Sequence, residues 1–238
     1  MGHATSTTSG LRSPDATPLP TWWGRVATAT QVGLALAAVG ALVAGIGSTL
    51  LISDPRAALD AQDGTGSGGG PGALLGWGSL LQLVATVPTA ILFITWLYRA
   101  LVSERGRRHP RHAAWWAIAG WFVPVMNLFR PYQMVQELYR HTRPTGREGR
   151  WPLVLAWWLV WLASFVSSTV AASRWEAVPA VSSDPGWMPG PDDPAAQESA
   201  VATALTVDTI TFALTAVAAA LALVVVRRLT RDVLAVPA

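Results

Sequence analysis

Asp208 is the one carboxylate inside an otherwise uncharged apolar run, residues 201–226. An ionisable side chain at membrane depth is costly and by default marks a ligand, ion or proton path. Helical rise places Asp208 about 27 Å from Val226, in the outer part of the run. Thr211 and Thr215 continue its helical face, while Gln82, Ser164, Ser167 and Ser168 fall at broadly similar depth on other runs. Two expectations follow: a small polar cavity opening outward, or a carboxylate simply bonded to neighbouring hydroxyls. Pro124 and Asn127 form a second pair of interest, because they break the apolar stretch 113–129. Proline removes a helix hydrogen bond, and asparagine can bond the backbone groups so freed or reach a ligand.

Enzyme chemistry has less to stand on. His109 and His112 sit among Arg107, Arg108 and Arg111 with no carboxylate beside them in sequence, and His3 and His141 stand apart. That spacing does not suit a metal. The absence of cysteine rules out thiol catalysis and thiolate metal sites, and no nucleophile elbow, phosphate loop or dinucleotide fingerprint occurs. The sequence therefore calls for no catalytic residue, metal or cofactor.

The elements that hold these residues are set by hydropathy. Only 13% of the 238 residues are charged, against about 25% in soluble domains, and there are 13 tryptophans. Four runs, 26–53, 73–98, 151–173 and 201–226, reach the roughly 20 apolar residues needed to cross a bilayer. In lipid such runs must be helical, because every backbone polar group must be bonded internally. Residues 1–21, rich in Ser, Thr and Pro, read as a disordered tail and not as a cleavable signal. Residues 174–198 read as an acidic outer loop, 233–238 as a second tail, and 22–232 as the membrane domain.

All but two of the 17 cationic residues, every one an arginine, lie in segments that one orientation puts on the same side. The exceptions are Arg56 and Arg174, each in an acidic loop. By the positive-inside rule both termini are cytoplasmic, in a multi-pass protein of the cell membrane. That rule also decides the stretch 113–129. If it crossed, one of its flanking arginine clusters would lie outside, so it is expected to be a re-entrant or interfacial Trp-rich hairpin. Residues 131–142 follow as an amphipathic cytoplasmic surface helix, with Tyr132, Val135, Leu138 and Tyr139 opposite Gln133, Gln136, Glu137 and Arg140. Trp22, Trp23, Trp77, Trp151 and Trp175 are expected at the interfaces. Trp115, Trp116 and Trp121 of the hairpin, with Trp157, Trp158 and Trp161, either pack together or line a groove for acyl chains. Gly33, Ala37, Ala41 and Gly45 form a small-residue seam for a neighbouring helix or a homo-oligomer.

The stretch Gly120, Trp121, Phe122, Val123, Pro124, Val125, Met126, Asn127, Leu128, Phe129, Arg130, Pro131 resembles the signature of a bacterial, mainly actinobacterial, membrane family. That family is domain of unknown function 4328. Trp96 to Arg99 and Val226 to Thr230 are similar to its flanking landmarks. The resemblance implies a multi-span membrane protein and carries no catalytic residue. The resulting expectation is an all-α polytopic membrane protein acting as a non-enzymatic scaffold or regulatory partner. Its hairpin and Arg105, Arg107, Arg108, Arg111 and Arg130 would engage anionic lipid or a protein partner, and not nucleic acid. The alternative is a small oligomeric transporter or channel using the hairpin and the Asp208 layer.

Overall fold

The computed structural model describes residues 19–62, 69–103, 112–142, 151–178 and 194–235. Among the described residues there are eight helices and no strand. They are α1 (Trp23–Leu51), α2 (Pro55–Gln62), α3 (Gly70–Val102), α4 (Trp116–Ala119), α5 (Pro124–Asn127), α6 (Arg130–His141), α7 (Pro152–Glu176) and α8 (Pro194–Ala235). α1, α3, α7 and α8 are each long and apolar enough to cross a membrane. The expected disordered tail falls almost wholly outside the described residues.

α3 and α8 overrun the expected spans at both ends, α7 runs past its expected end, and α1 is shifted toward its start, at 23–51 against 26–53. Charge marks where a helix leaves hydrocarbon, but backbone hydrogen bonding carries it onward into water. The acidic loop expected over 174–198 is therefore shorter, since α7 ends at Glu176 and α8 begins at Pro194. α2 was not expected. It lies beyond the far end of α1, where Ala58 is buried with Leu51, Val201 and Leu205. Arg56 of α2 pairs with Glu198 of α8 on the surface. That hydrogen bond, and then the carboxylate's charge, hold the guanidinium above its ordinary pKa.

α1 is central, packed on one side against α3 and on the other against α8, and α7 packs on α8. The backbones of α3 and α7 hardly approach each other. Two bonds fix which ends meet: Trp23 Nε1 donates to the Trp96 carbonyl at 3.1 Å, and Trp96 Nε1 donates to Thr230 Oγ1 at 3.1 Å. The start of α1 and the ends of α3 and α8 thus share one end, hereafter the basic end. Trp23 and Trp151, expected as interface anchors, are buried there, whereas Trp22 and Trp77 are exposed.

The α1–α3 contact explains several glycines. A Cβ on Gly40 would meet the Gln82 backbone nitrogen at 2.6 Å, and one on Gly78 would meet the Gly40 carbonyl at 2.8 Å. Gly47 faces the Pro71 carbonyl in the same way, at 2.7 Å. The seam repeats every seventh residue along α1, through Gly33, Gly40 and Gly47, which is the period that keeps one helix face on a neighbour. The expected seam splits between neighbours. Gly33 faces Thr89 of α3, whereas Gly45 faces Phe212 of α8. Ala41 is fully buried and Ala37 nearly so. Facing outward, Leu42, Ile46, Leu83, Ile91, Phe165 and Val166 form an apolar coat, all more than half exposed. A coat of that extent suits lipid and not water.

Candidate functional site

The hairpin is made of two short helices joined by a break. Val123 is extended, with φ −92° and ψ 113°, and Pro124 opens α5. A proline suits that first position because the N–H it lacks would have no helical partner there. The two limbs pass closely. A Cβ on Gly120 would lie 2.7 Å from Arg130 Cβ and 2.7 Å from the Trp116 carbonyl. Arg130 folds back over the Trp116 ring, 4.7 Å from its centroid. The stretch therefore leaves from the end at which it enters.

Its tip reaches into the bundle. Trp121 stands edge-on to Phe93 of α3 (6.0 Å) and to Trp161 of α7 (5.8 Å), and near-perpendicular to Trp158 (6.1 Å). Its buried indole N–H has no oxygen or nitrogen partner and lies among these rings, an arrangement that N–H···π contacts accommodate. Phe93 lies about 9 Å inside Arg99 along α3. The hairpin thus penetrates less than half of a hydrocarbon core of about 30 Å. It fills the gap between α3 and α7 at the basic end only. Its outer face, with Ile118, Phe122, Val125 and Phe129, is exposed.

α6 differs from the expected surface helix. Met134, Val135 and Leu138 are buried as an apolar face should be, but so are Gln136 and Glu137, each about 3% exposed. Both are occupied by bonds to other elements. Gln136 brackets Trp151 at the start of α7, donating to its carbonyl at 2.9 Å and accepting from its N–H at 3.3 Å. Glu137 accepts from the backbone N–H of His112 at 3.4 Å and lies 2.8 Å from His112 Nδ1. His112 does have a carboxylate partner, then, one supplied by a distant segment and invisible to local spacing. His141 Nε2 lies 3.9 Å from the same carboxylate. Among the described residues no group of three acid, histidine or cysteine side chains gathers as a metal site.

Three arginines stack on tryptophans at the basic end: Arg99 on Trp22 (5.7 Å), Arg130 on Trp116 and Arg228 on Trp151 (5.9 Å). Among the described residues none of the three has a carboxylate partner. Arg130 donates to the Gln133 side chain at 3.1 Å, and Arg99 Nε is buried with no acceptor. Of these only Arg130 was picked out from sequence. Arg99 closes the Trp96 to Arg99 landmark and Arg228 lies within the Val226 to Thr230 landmark, and those motifs were the available signal. Arg105, Arg107, Arg108 and Arg111 lie outside the described residues.

The other sequence candidates are not gathered together. Asp208 accepts from Trp175 Nε1 of α7 at 2.7 Å. One turn on, Thr211 shares a 2.7 Å hydroxyl bond with Ser167. Ser164 and Ser168 bond to carbonyls of their own helix. Gln82 shares no hydrogen bond with Asp208, and its Oε1 is buried without a partner. Asn127 was expected to bond freed backbone groups, but its Oδ1 is buried and unpartnered. The Leu128 carbonyl beside it is taken instead by Trp158 Nε1 at 3.1 Å. Pro124 is exposed at the break. Above the hairpin tip lies a cavity of about 200 Å³, lined by residues including Thr89, Phe93, Trp121, Trp157, Ser164 and Thr215. Neither Asp208, Gln82 nor Asn127 reaches it.

A family model described as a domain of unknown function (DUF4328) matches residues 71–231, which include α3, the hairpin, α6, α7 and most of α8. No curated protein and no solved structure matches the chain.

Proposed function

The chain belongs to the DUF4328 family, which lends it no activity, and we propose from its own geometry that it is a non-enzymatic membrane scaffold or regulatory protein. Its hairpin end holds anionic lipid headgroups and presents the outer face of the hairpin to a partner protein. The observation that carries this reading is the set of three arginine–tryptophan stacks without carboxylate partners among the described residues. A guanidinium on an aromatic face at the edge of an apolar coat keeps its donors free for phosphate. Taking the basic end as cytoplasmic, by the positive-inside rule, sets these donors against the anionic leaflet of the cell membrane. The polar groups near the hairpin support a structural role, since Gln136, Glu137 and Trp158 are occupied in joining elements. The transporter alternative has less behind it, because Asp208, Gln82 and Asn127 share no cavity and the α1–α3 seam is closely packed.

The test is lipid retention by the full chain, measured by native mass spectrometry after extraction from vesicles of mixed anionic and zwitterionic phospholipid. The wild type should retain anionic lipid preferentially. Replacing Arg99, Arg130 and Arg228 together by Gln should weaken that retention on the order of a hundredfold, taking about 1 kcal/mol per arginine. Arg56→Gln with Arg174→Gln, at the other end, should leave it unchanged. No preference in the wild type, or an undiminished one in the triple variant, defeats the reading.

A further inference from the structure

The cavity above the hairpin is not needed for the headgroup site and has features of its own. It lies between the four long helices, closed below by Trp121, with Ala37 of α1 and Ala218 of α8 in its wall. Thr86 and Ala90 at its rim are exposed, so it opens on the side where α3 and α7 do not meet. Among the described residues no charged side chain lines it. An apolar cavity of roughly 150 Å³ stays dry and takes up a molecule the size of benzene, so one of about 200 Å³ has room for a ring or several carbons.

Besides the Trp121 indole, one polar group in the wall stands out. Thr86 and Thr95 of α3, and Thr215 of α8, each spend their hydroxyl on the carbonyl one turn back. Thr89 does not. Its side chain is 5% exposed and lines the cavity, its hydroxyl oxygen lies over Gly33, and among the described residues that hydroxyl makes no hydrogen bond. A hydroxyl left unbonded beside an apolar space gains from a partner that enters and bonds it.

We infer that this cavity binds a neutral lipophile carrying one hydrogen-bonding oxygen near its end, admitted from the bilayer between α3 and α7. The oxygen bonds Thr89, the adjacent carbons fill the space against Phe93 and the tryptophans, and the remaining tail trails into lipid. The lack of lining charge selects a neutral ligand over a fatty acid anion. Thr89 lies about 15 Å inside Arg99, near the middle of the hydrocarbon core, a depth that the ring carbonyl of a prenyl quinone can reach and an interfacial ester carbonyl does not.

The probe is a long-chain methyl ketone with a diazirine in its tail, added to the full chain in phospholipid nanodiscs. Labelling should saturate and should map to peptides of α3 and α8. Thr89→Val keeps the shape and removes the hydroxyl. It should weaken ketone binding about fivefold while leaving the matching hydrocarbon probe unaffected. Ala218→Leu, which fills the space without touching a polar group, should abolish labelling by both probes. A short-tailed benzoquinone should displace the ketone probe. Labelling that rises linearly and spreads over the lipid coat, ketone affinity unchanged in both variants, or no displacement by the benzoquinone overturns the inference.

Discussion

At the scale of single residues, Asp208 shows how a default reading is modified by one neighbour. Its carboxylate has a specific donor, Trp175, on the adjoining helix. Asp208→Asn keeps an acceptor for that indole and should leave the unfolding free energy within about 1 kcal/mol of wild type. Asp208→Val abandons the indole N–H and should cost about 1–3 kcal/mol, read from denaturant titration in mixed micelles. Equal effects of the two would mean that the Trp175 bond matters little. The sequence made Asp208 conspicuous because charge in an apolar run is a local property. It could not reveal Trp175 as the partner, nor Glu137 as the partner of His112, because both bonds join segments whose approach depends on packing. Thr89 was hidden for a related reason. A threonine that fails to bond its own helix has the same one-letter code as one that does.

At the scale of elements, the four long helices were legible because the arginine clusters and apolar runs punctuate the chain so sharply. The hairpin was legible from Pro124 and the arginines on both sides. What was not legible was the phase of the α1 seam. A four-residue stripe drifts around a helix of 3.6 residues per turn, so Gly33 and Gly45 end on different neighbours. The true contact, Gly40 against Gly78, gives a sharp comparison within one helix. Gly78→Ala places a methyl against the α1 backbone and should lower the melting temperature markedly, with about 1–3 kcal/mol lost to overpacking. Gly76→Ala, two residues away with nothing within 4 Å of the added carbon, should be neutral or slightly stabilising. Equal melting temperatures would refute the close α1–α3 approach.

At the scale of the whole molecule, the hairpin decides topology. The chain has no cysteine, so single cysteines report sidedness directly. Ala113 before the hairpin and Ala235 at the end of α8 are exposed, and Thr142 after α6 is partly so. Ser53 and Ser173 are exposed at the other end. With an impermeant thiol reagent on intact cells, Ser53→Cys and Ser173→Cys should label, while Ala113→Cys, Thr142→Cys and Ala235→Cys should label only after lysis. Labelling of Ala113→Cys and Thr142→Cys from opposite sides would make the stretch between them a crossing segment. A hairpin that fills the space between α3 and α7 at one end only also gives the molecule unequal cross-sections. Each copy inserted displaces more lipid from the monolayer at the basic end than from the opposite one. Copies sharing one orientation therefore load the two monolayers unevenly, and a sheet so loaded relaxes by bending away from its more crowded face.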